Sequence, residues 1–185
     1  VGRGGPVLRL SREPTTFTAV ATSTDELSPR VAGLLTRIEW PGKPGARAPL
    51  APLTAEEQTR FDAGRDVYRN LCQNCHQPDG RGQEKVAAAL VGSVLALAPA
   101  DITARILLNG KEGTIGLMPP LGAGMTDADV AAVLTYIRRE WGQPGTPVAS
   151  EAVAATRTAT MVRAKPWTND ELMQLVTASN ANRSN

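Results

Sequence analysis

The sequence predicts an all-α protein with long loops. Several segments carry apolar residues at helical spacing after a capping residue, and strand alternation is limited to a weak pattern at residues 17–22. The 185 residues suffice for one domain of ordinary size with extensions, but hardly for two independent cores. We therefore divide the chain into an N-terminal extension (residues 1–53), a central domain (54–142) and a C-terminal helical extension (143–185).

The N-terminal extension contains one predicted helix. Ser28 is placed to cap it, Pro29 suits its first turn, and it is expected to end at Trp40-Pro41-Gly42. Its apolar face consists of Val31, Leu34, Leu35 and Ile38. Residues 41–52, with four prolines and two glycines, are predicted to form a stiff, irregular connector.

The first helix of the central domain begins at a capping box, Thr54 with Glu57 three residues on. Its apolar stripe consists of Phe61, Gly64, Tyr68 and Leu71. A glycine inside a helix costs up to ~1 kcal/mol relative to alanine. We therefore expect another backbone or a ring to lie against Gly64.

Two further helices follow in the central domain. Residues 101–108 form a short helix that is closed by Asn109-Gly110. The next helix is capped at its start by Thr126 together with Asp129 and ends at Gly142. Its apolar side consists of Val130, Val133, Leu134, Ile137 and Trp141.

The C-terminal extension is also predicted to be helical. Residues 150–163 form one helix, and Thr168 with Glu171 forms a capping box for another. The tail is expected to stay ordered until the polar residues 179–185. Such extensions suit wrapping around the central domain or docking on a partner better than they suit disorder.

The two cysteines lie three positions apart and are followed at once by the single histidine, as Cys72-Gln73-Asn74-Cys75-His76. This C-x-x-C-H pattern is typical of c-type haem attachment. Thiols at this spacing can add to the two vinyl groups on one edge of a porphyrin, and the adjacent imidazole then reaches the iron. The sequence therefore predicts one covalent haem c held by Cys72 and Cys75, with His76 as an axial iron ligand. A flat apolar cofactor also compensates for the low aromatic content of 4%.

Three other interpretations of the motif stay open. A thioredoxin-type dithiol belongs near a β-α-β pattern, whereas here a helix precedes the motif and a Gly-rich loop, residues 79–82, follows it. A structural zinc site needs four ligands, and two cysteines with one histidine supply three. A chance match without any cofactor is the last alternative.

The single histidine excludes bis-histidine ligation and a second C-x-x-C-H haem, so we expect a methionine as the second axial ligand, the arrangement that raises the potential of cytochromes c. The candidates are Met118, Met125, Met161 and Met173. We favour Met118, because Pro119 and Pro120 fix the backbone of its loop. Met125 precedes the Thr126 cap, a position where an apolar residue often packs on the helix. Core packing is the alternative role for Met118.

Composition and charge exclude several classes of protein. The formal net charge is +2, without a clustered basic face, which argues against a nucleic-acid partner. No apolar run approaches the length of a transmembrane segment. The chain begins at Val1 without an initiator Met or a signal-type segment, so we expect a processed form or a piece of a longer chain.

The helix leading to C-x-x-C-H, the Gly-rich turn, the Met-Pro loop and the last amphipathic helix resemble class I cytochromes c. In that family a glycine of the first helix packs against an aromatic residue of the last, which pairs Gly64 with Tyr136. A narrower similarity is to the cytochrome domains fused to bacterial quinoprotein and related membrane-associated dehydrogenases. The segments that carry it are Phe61-x-x-Gly64-x-x-x-Tyr68, Leu90-Val91-Gly92-Ser93, Arg105-Ile106-Leu107-Leu108-x-Gly110, Met118-Pro119-Pro120, Val133-Leu134-Thr135-Tyr136-Ile137-Arg138, Trp141-Gly142, Arg163-x-x-Pro166-Trp167-Thr168-x-x-Glu171-Leu172 and Trp40-Pro41-Gly42-Lys43-Pro44.

The resemblance implies a class I cytochrome c fold, with three to four core helices around a covalent haem and with N- and C-terminal extensions. It implies electron transfer with a dehydrogenase or a larger redox complex, which can be membrane-associated, and no catalysis by the chain alone. Haem c is attached outside the cytoplasmic membrane, so a periplasmic or otherwise extracytoplasmic location is expected. A haem enzyme or ligand sensor with an open distal site, and a freely diffusing carrier, are the alternative functions.

The sequence departs from the narrower pattern at Ala88-Ala89, where those domains usually have two prolines. A backbone carbonyl there can still accept the hydrogen bond from His76 Nδ1 that orients the ring. Arg105, Trp141 and Trp167 are candidates to touch the haem propionates or the partner, although packing is the commoner role for such residues.

Overall fold

The computed structural model describes residues 8–43 and 51–183. The chain divides into two compact units, Val1–Ala51 and Pro52–Asn185. The second unit contains both the predicted central domain and the predicted C-terminal extension. Helices dominate the described ranges and the strands are only two or three residues long, so the predicted all-α class is confirmed.

The N-terminal unit combines two helices with two very short strands. The strands β1 (Leu8–Arg9) and β2 (Ile38–Glu39) pair in parallel, with Leu8 opposite Ile38. The helices α1 (Thr15–Ala21) and α2 (Ser28–Leu35) lie between them in the sequence. The weak strand pattern at residues 17–22 was therefore misleading, because an alternation this short does not outweigh local helical hydrogen bonds.

The predicted helix of this unit begins at Ser28 itself and ends earlier than expected. Ser28 does not cap α2, since its hydroxyl donates to the carbonyl of Ala21 at 2.8 Å instead. The helix ends at Leu35, where Lys43 Nζ donates to the carbonyls of Leu35 and Ile38 at 2.7 and 2.8 Å. This ammonium group takes up the carbonyls that a longer helix would have used. Residues 44–50 of the predicted connector lie outside the described residues.

The second unit carries the predicted core helices and two helices of the C-terminal extension. Its elements are α3 (Ala55–Val67), a π-helical turn (Tyr68–Cys72), α4 (Gln73–His76), α5 (Ala100–Asn109), β3 (Lys111–Gly113), β4 (Gly116–Met118), α6 (Asp127–Arg139), α7 (Ser150–Thr160) and α8 (Asn169–Arg183). Short 3-10 turns occupy Gly122–Gly124 and Glu140–Gly142. The three predicted capping boxes are confirmed at Thr54, Thr126 and Thr168. None of the helices in the described ranges is long and apolar enough to cross a membrane.

The crossing of α3 and α6 forms the centre of the core. Gly64 is buried there, and a Cβ built on it would overlap the carbonyl oxygen of Ala132 and lie 2.9 Å from Cβ of Tyr136. The predicted close approach at Gly64, and its pairing with Tyr136, are confirmed. Around this contact α6 buries Val130, Val133, Leu134 and Ile137, as its sequence pattern predicts.

An antiparallel hairpin that the sequence did not predict joins α5 to α6. Strands β3 and β4 pair Lys111 with Met118 and Gly113 with Gly116. Strands of three residues, closed by glycines, are too short to leave an alternating pattern. Met118, the predicted second axial ligand, is the last residue of this hairpin.

The C-terminal extension packs on the rest of the second unit. Val153 on α7 and Leu172 on α8 are both completely buried, in two separate clusters that also contain residues of α5. The helix predicted at residues 150–163 ends at Thr160. Helix α8 continues to Arg183, although the polar residues 179–185 were expected to be disordered. Of the two expectations for this extension, wrapping is the one the structure confirms.

We expect the capping box of α6 to contribute measurable stability. Thr126→Ala should lower the free energy of unfolding by ~1 kcal/mol, because the hydroxyl that receives the Asp129 N–H is lost. Hydrogen bonds from Thr126 hold the pKa of Asp129 below its usual value. The stability that the ionised Asp129 carboxylate contributes is therefore complete above its unfolded pKa of about 3.9. It disappears as the pH falls through the lowered pKa of the folded state. Urea titrations at neutral and acidic pH should show the difference between variant and wild type shrinking with acid.

Thr158→Ala is the matched control for this measurement. Thr158 is exposed on α7, and its hydroxyl donates only to the carbonyl of Ala154 one turn earlier. The substitution should change the free energy of unfolding by less than ~0.5 kcal/mol at either pH. Equal losses in the two variants would contradict the capping role of Thr126.

Candidate haem-binding site

The three motif side chains lie on one continuous helical segment. Helix α3 runs through the π-helical turn into α4 without an intervening loop, so Cys72, Cys75 and His76 fall within two turns. Cys72 is buried, Cys75 is exposed and His76 is half-buried. Both thiols are free, and the structure therefore leaves both available for covalent attachment.

The protonation chemistry of Cys72 bears on the rival dithiol interpretation. Burial, with a smaller contribution from neighbouring Cys75, raises the pKa of the Cys72 thiol to about 11. A dithiol redox enzyme needs the opposite, a thiolate favoured by a lowered pKa. The segment before the motif is helix α3, and no strand leads into it in the described unit. Cofactor attachment fits these two thiols better than disulfide exchange does.

The imidazole of His76 is oriented by a backbone carbonyl. Its Nδ1 lies 2.9 Å from the carbonyl oxygen of Ala88, and because a carbonyl only accepts, Nδ1 donates. The lone pair therefore remains on Nε2. Burial lowers the pKa of His76, although the hydrogen bond to Ala88 partly opposes this. The imidazole is therefore neutral at neutral pH, which is the form in which histidine binds metals. The Ala88-Ala89 departure thus preserves the hydrogen bond that orients a ligating histidine.

A tight loop brings Ala88 back to the histidine. The carbonyl of His76 accepts from Gly82 N–H at 2.9 Å, and Gln83 N–H donates to the carbonyl of Ala87 at 3.0 Å. Gly82 has φ of +71°, and a Cβ there would overlap the carbonyl of Ala87. The Gly-rich loop is therefore a structural requirement for placing Ala88.

Aromatic side chains fix the motif against α6. The ring of Tyr68 lies 5.2 Å from that of Tyr136 and 5.5 Å from that of Trp141. The hydroxyl of Tyr68 donates to the carbonyl of Gln77 at 2.6 Å, and the indole N–H of Trp141 donates to that of Pro78 at 3.2 Å. Both bonds hold the chain just beyond His76. Trp141 thus has the packing role that we considered the commoner one.

The four methionines have distinct environments. Met118 is half-buried at the end of the hairpin and packs against both hydrophobic clusters of the unit. Met125 is buried in the main core, with its carbonyl accepting from Arg157 at 2.9 Å. Met161 is 76% exposed, and Met173 is half-buried on α8. Met118 therefore combines partial burial with a position on a hairpin rather than on a helix or in the core.

A cleft of about 550 Å³ is lined by residues between Arg81 and Ala89 together with Thr114 and Ile115 at the tip of the hairpin. Neither His76 nor Met118 lines this cleft. In the described part of the chain, Nε of Arg105 is buried without a hydrogen-bond partner. Two free thiols and an oriented imidazole on one helical segment, with a half-buried thioether elsewhere in the same unit, are a donor set that fits a haem c.

Sequence reasoning missed Arg157, and it named Trp167 as a candidate contact of the propionates or the partner without predicting its place beside the hairpin. Arg157 on α7 donates to Asp127 at 2.7 Å, to the carbonyl of Gly122 at 2.6 Å and to that of Met125, so it ties the loop after Met118 to α7. Trp167 forms a parallel bridge with Lys111, beside the hairpin. Only the charge of Arg157 inside a predicted helix, and the Pro166-Trp167 pair, mark them in the sequence.

Comparison with known proteins agrees with this description. The family model described as "Cytochrome C oxidase, cbb3-type, subunit III" matches residues 59–137. The chain is 30% identical over 110 residues to the fructose dehydrogenase cytochrome subunit of Gluconobacter japonicus, a match that covers 54% of this chain and 23% of that protein. It is 26% identical over 116 residues to the cytochrome c subunit of the quinone alcohol dehydrogenase of Gluconobacter oxydans (strain 621H), covering 57% and 24%.

The chain spans about a quarter of the length of these curated relatives. The matched segment runs from the middle of α3 almost to the end of α6, and so contains the motif, the cleft and the hairpin. The predicted resemblance and the predicted class of fold are both confirmed. Residues 59–137 match a cytochrome c family model, and the chain is similar in sequence to the cytochrome c subunits of two Gluconobacter dehydrogenases.

Proposed function

We propose that this chain transfers electrons through one haem c, bound by thioether bonds to Cys72 and Cys75 and ligated by His76 and Met118. The observation that carries the proposal is the hydrogen bond from His76 Nδ1 to Ala88 on a C-x-x-C-H turn, which leaves Nε2 free for iron. The half-buried Met118, at the end of a hairpin and outside the main core, supports it as the second ligand.

The chain's own residues hold and tune the cofactor. Ala88 fixes the tautomer and direction of His76, and the surrounding burial keeps the imidazole neutral. A thioether ligand from Met118 and an apolar environment favour the reduced state. When bound, the haem supplies one-electron chemistry at iron. If His76 and Met118 both bind the iron, no coordination site would be left for a substrate, which favours electron transfer over catalysis by this chain.

We further propose that the electron partner is a dehydrogenase or a larger redox complex, outside the cytoplasmic membrane. The names of the two relatives support such a partner, since both are cytochrome subunits of dehydrogenases. The N-terminal unit adds support, because Phe17 on α1, Leu27 just before α2 and Leu34 on α2 are each about half exposed. Exposed apolar side chains of this kind suit an interface better than a freely diffusing carrier. Native mass measurement of protein from source cells should detect a partner.

One haem per chain, covalently attached, is the outcome we expect from a pyridine haemochrome assay. After maturation in an extracytoplasmic compartment, the holoprotein should retain its haem in acidic acetone, because thioether bonds to Cys72 and Cys75 survive extraction. A Cys72→Ala/Cys75→Ala variant should lose all covalent haem. Haem that is extractable from the wild type, or a stoichiometry other than one, would sink the proposal.

The alternative, a haem enzyme or ligand sensor with an open distal site, makes a different prediction. Carbon monoxide added to the reduced protein, or cyanide added to the oxidised protein, would then bind at once with a large spectral change. We expect slow binding in the wild type, because an external ligand must first displace Met118. Rapid binding at neutral pH would favour the alternative.

A further inference from the structure

The hairpin that carries Met118 is joined by a single parallel β-bridge to Trp167 of the C-terminal extension. Trp167 N–H donates to the carbonyl of Gly110 at 3.0 Å, and Glu112 N–H donates to the carbonyl of Trp167 at 2.8 Å. Lys111 therefore pairs with Trp167 on one side and with Met118 on the other. A two-stranded hairpin is marginal in water by itself, and this one has three residues per strand. The bridge to Trp167 adds two backbone hydrogen bonds to the outer side of β3 and so supports the hairpin.

Trp167 is itself held on several sides. The guanidinium of Arg163 stacks over its ring at 3.5 Å from the centroid, and that of Arg105 lies at 5.1 Å. Its indole N–H donates to Asn109 Oδ1 at 3.3 Å. Arg163 is fixed in turn by Glu171, whose two carboxylate oxygens accept from it at 3.0 and 2.8 Å. The segment cannot shift without breaking a charge-assisted network.

The same segment contributes to an apolar cluster beside Met118. Leu172 is completely buried and Val176 nearly so, in a cluster with Ile102 and Ile106 of α5. Met118 and Trp167 both pack against this cluster. The methionine thus pairs with Lys111 on β3 and packs against a cluster that α8 helps to form.

We propose that residues 163–176, the C-terminal clasp, position Met118 for its bond to iron, with Trp167 as the central positioning residue. The inference rests on the proposed His76 and Met118 ligation and adds to it a role for the extension. A thioether is a weak neutral ligand, so the fraction of protein with Met118 bound depends on how far the hairpin is held in its closed position. Without the clasp, the hairpin opens more often and exposes the iron.

The test uses the matured holoprotein and the variants Trp167→Ala and Trp40→Ala. Trp40 is buried in the N-terminal unit and carries a comparable cation–π contact with Lys43, so it controls for loss of a large buried ring. Three quantities are measured: the far-red sulfur-to-iron band of the oxidised protein, the rate of cyanide binding, and helix content by circular dichroism. Cyanide binds only the open form, so its rate reports the open population.

Trp167→Ala should weaken the far-red band and raise the cyanide-binding rate about tenfold, in proportion to the open population, with helix content retained. Trp40→Ala should leave the band and the rate at wild-type values. If the Trp167→Ala protein does not mature, Glu171→Gln provides the test instead. This substitution keeps the size of the side chain but removes the charge that pairs with Arg163. It should raise the rate in the same direction by a smaller factor.

The outcomes separate this inference from the proposed function. A wild type without a far-red band, or a band that survives Met118→Ala, overturns the ligation itself. A band that depends on Met118 but is unchanged in both clasp variants, with wild-type cyanide rates, leaves the ligation intact and overturns the clasp. Equal effects of Trp40→Ala and Trp167→Ala also overturn it, because the change would then follow general loss of stability.

Discussion

Replacing Met118 with alanine is expected to abolish the far-red sulfur-to-iron band and to open the iron to external ligands. The proposed thioether ligand would be gone, and the methyl side chain of alanine has no atom able to replace it. The reduction potential should fall by a substantial part of the ~0.8 V range over which axial ligands set haem potentials. Optical spectra of the oxidised protein, cyanide-binding kinetics and a redox titration measure the three effects.

Met125→Leu provides the matched control for this prediction. Met125 is buried in the main core, and Arg157 contacts its backbone carbonyl rather than its sulfur. A leucine of similar volume should keep the core filled at a cost below ~1.5 kcal/mol and leave the band, the potential and cyanide binding nearly unchanged. The reverse pattern, with the band lost in Met125→Leu and kept in Met118→Ala, would transfer the ligand assignment to Met125.

The elements that were predictable from the sequence are those with strong local signals. Capping boxes at Thr54, Thr126 and Thr168 fix three helix starts, because the two reciprocal hydrogen bonds involve residues three apart in the chain. The close packing at Gly64 was predictable because an unexplained helical glycine needs a physical reason. The C-x-x-C-H motif was recognisable because its chemistry depends on spacing alone. The roles of its residues as haem ligands remain predictions.

The features that were not predictable depend on contacts between distant segments. Trp167 joins the hairpin through backbone hydrogen bonds to Gly110 and Glu112, more than fifty residues earlier, and no local pattern records such pairing. The sequence indicated that a carbonyl of Ala88 or Ala89 accepts from His76, but not which one. The turn at Gly82 determines that it is the carbonyl of Ala88. The early end of α2 follows from Lys43, whose long side chain reaches back to Leu35. In each case tertiary structure decides what the local sequence leaves open.

The contact at Gly64 connects core packing to the haem motif. Helix α3 leads directly to Cys72, and its contact with α6 fixes the direction in which the motif leaves the core. Tyr136, which lies against Gly64, also contacts the ring of Tyr68, whose hydroxyl holds the chain beyond His76. A change at Gly64 should therefore affect both the stability of the fold and the geometry of the haem attachment turn.

Gly64→Ala is expected to lower the free energy of unfolding by ~3 kcal/mol or more, because a Cβ would overlap the carbonyl of Ala132 and neither backbone can yield locally. Gly33→Ala is the matched control: Gly33 lies in α2 with open space around its Cβ position, so the same substitution should be neutral or stabilise the N-terminal unit by up to ~1 kcal/mol. Denaturant unfolding and the yield of matured holoprotein measure the effect. Wild-type stability in Gly64→Ala would show that α3 and α6 do not approach as closely as described, and the proposed coupling between core and motif would fail with it.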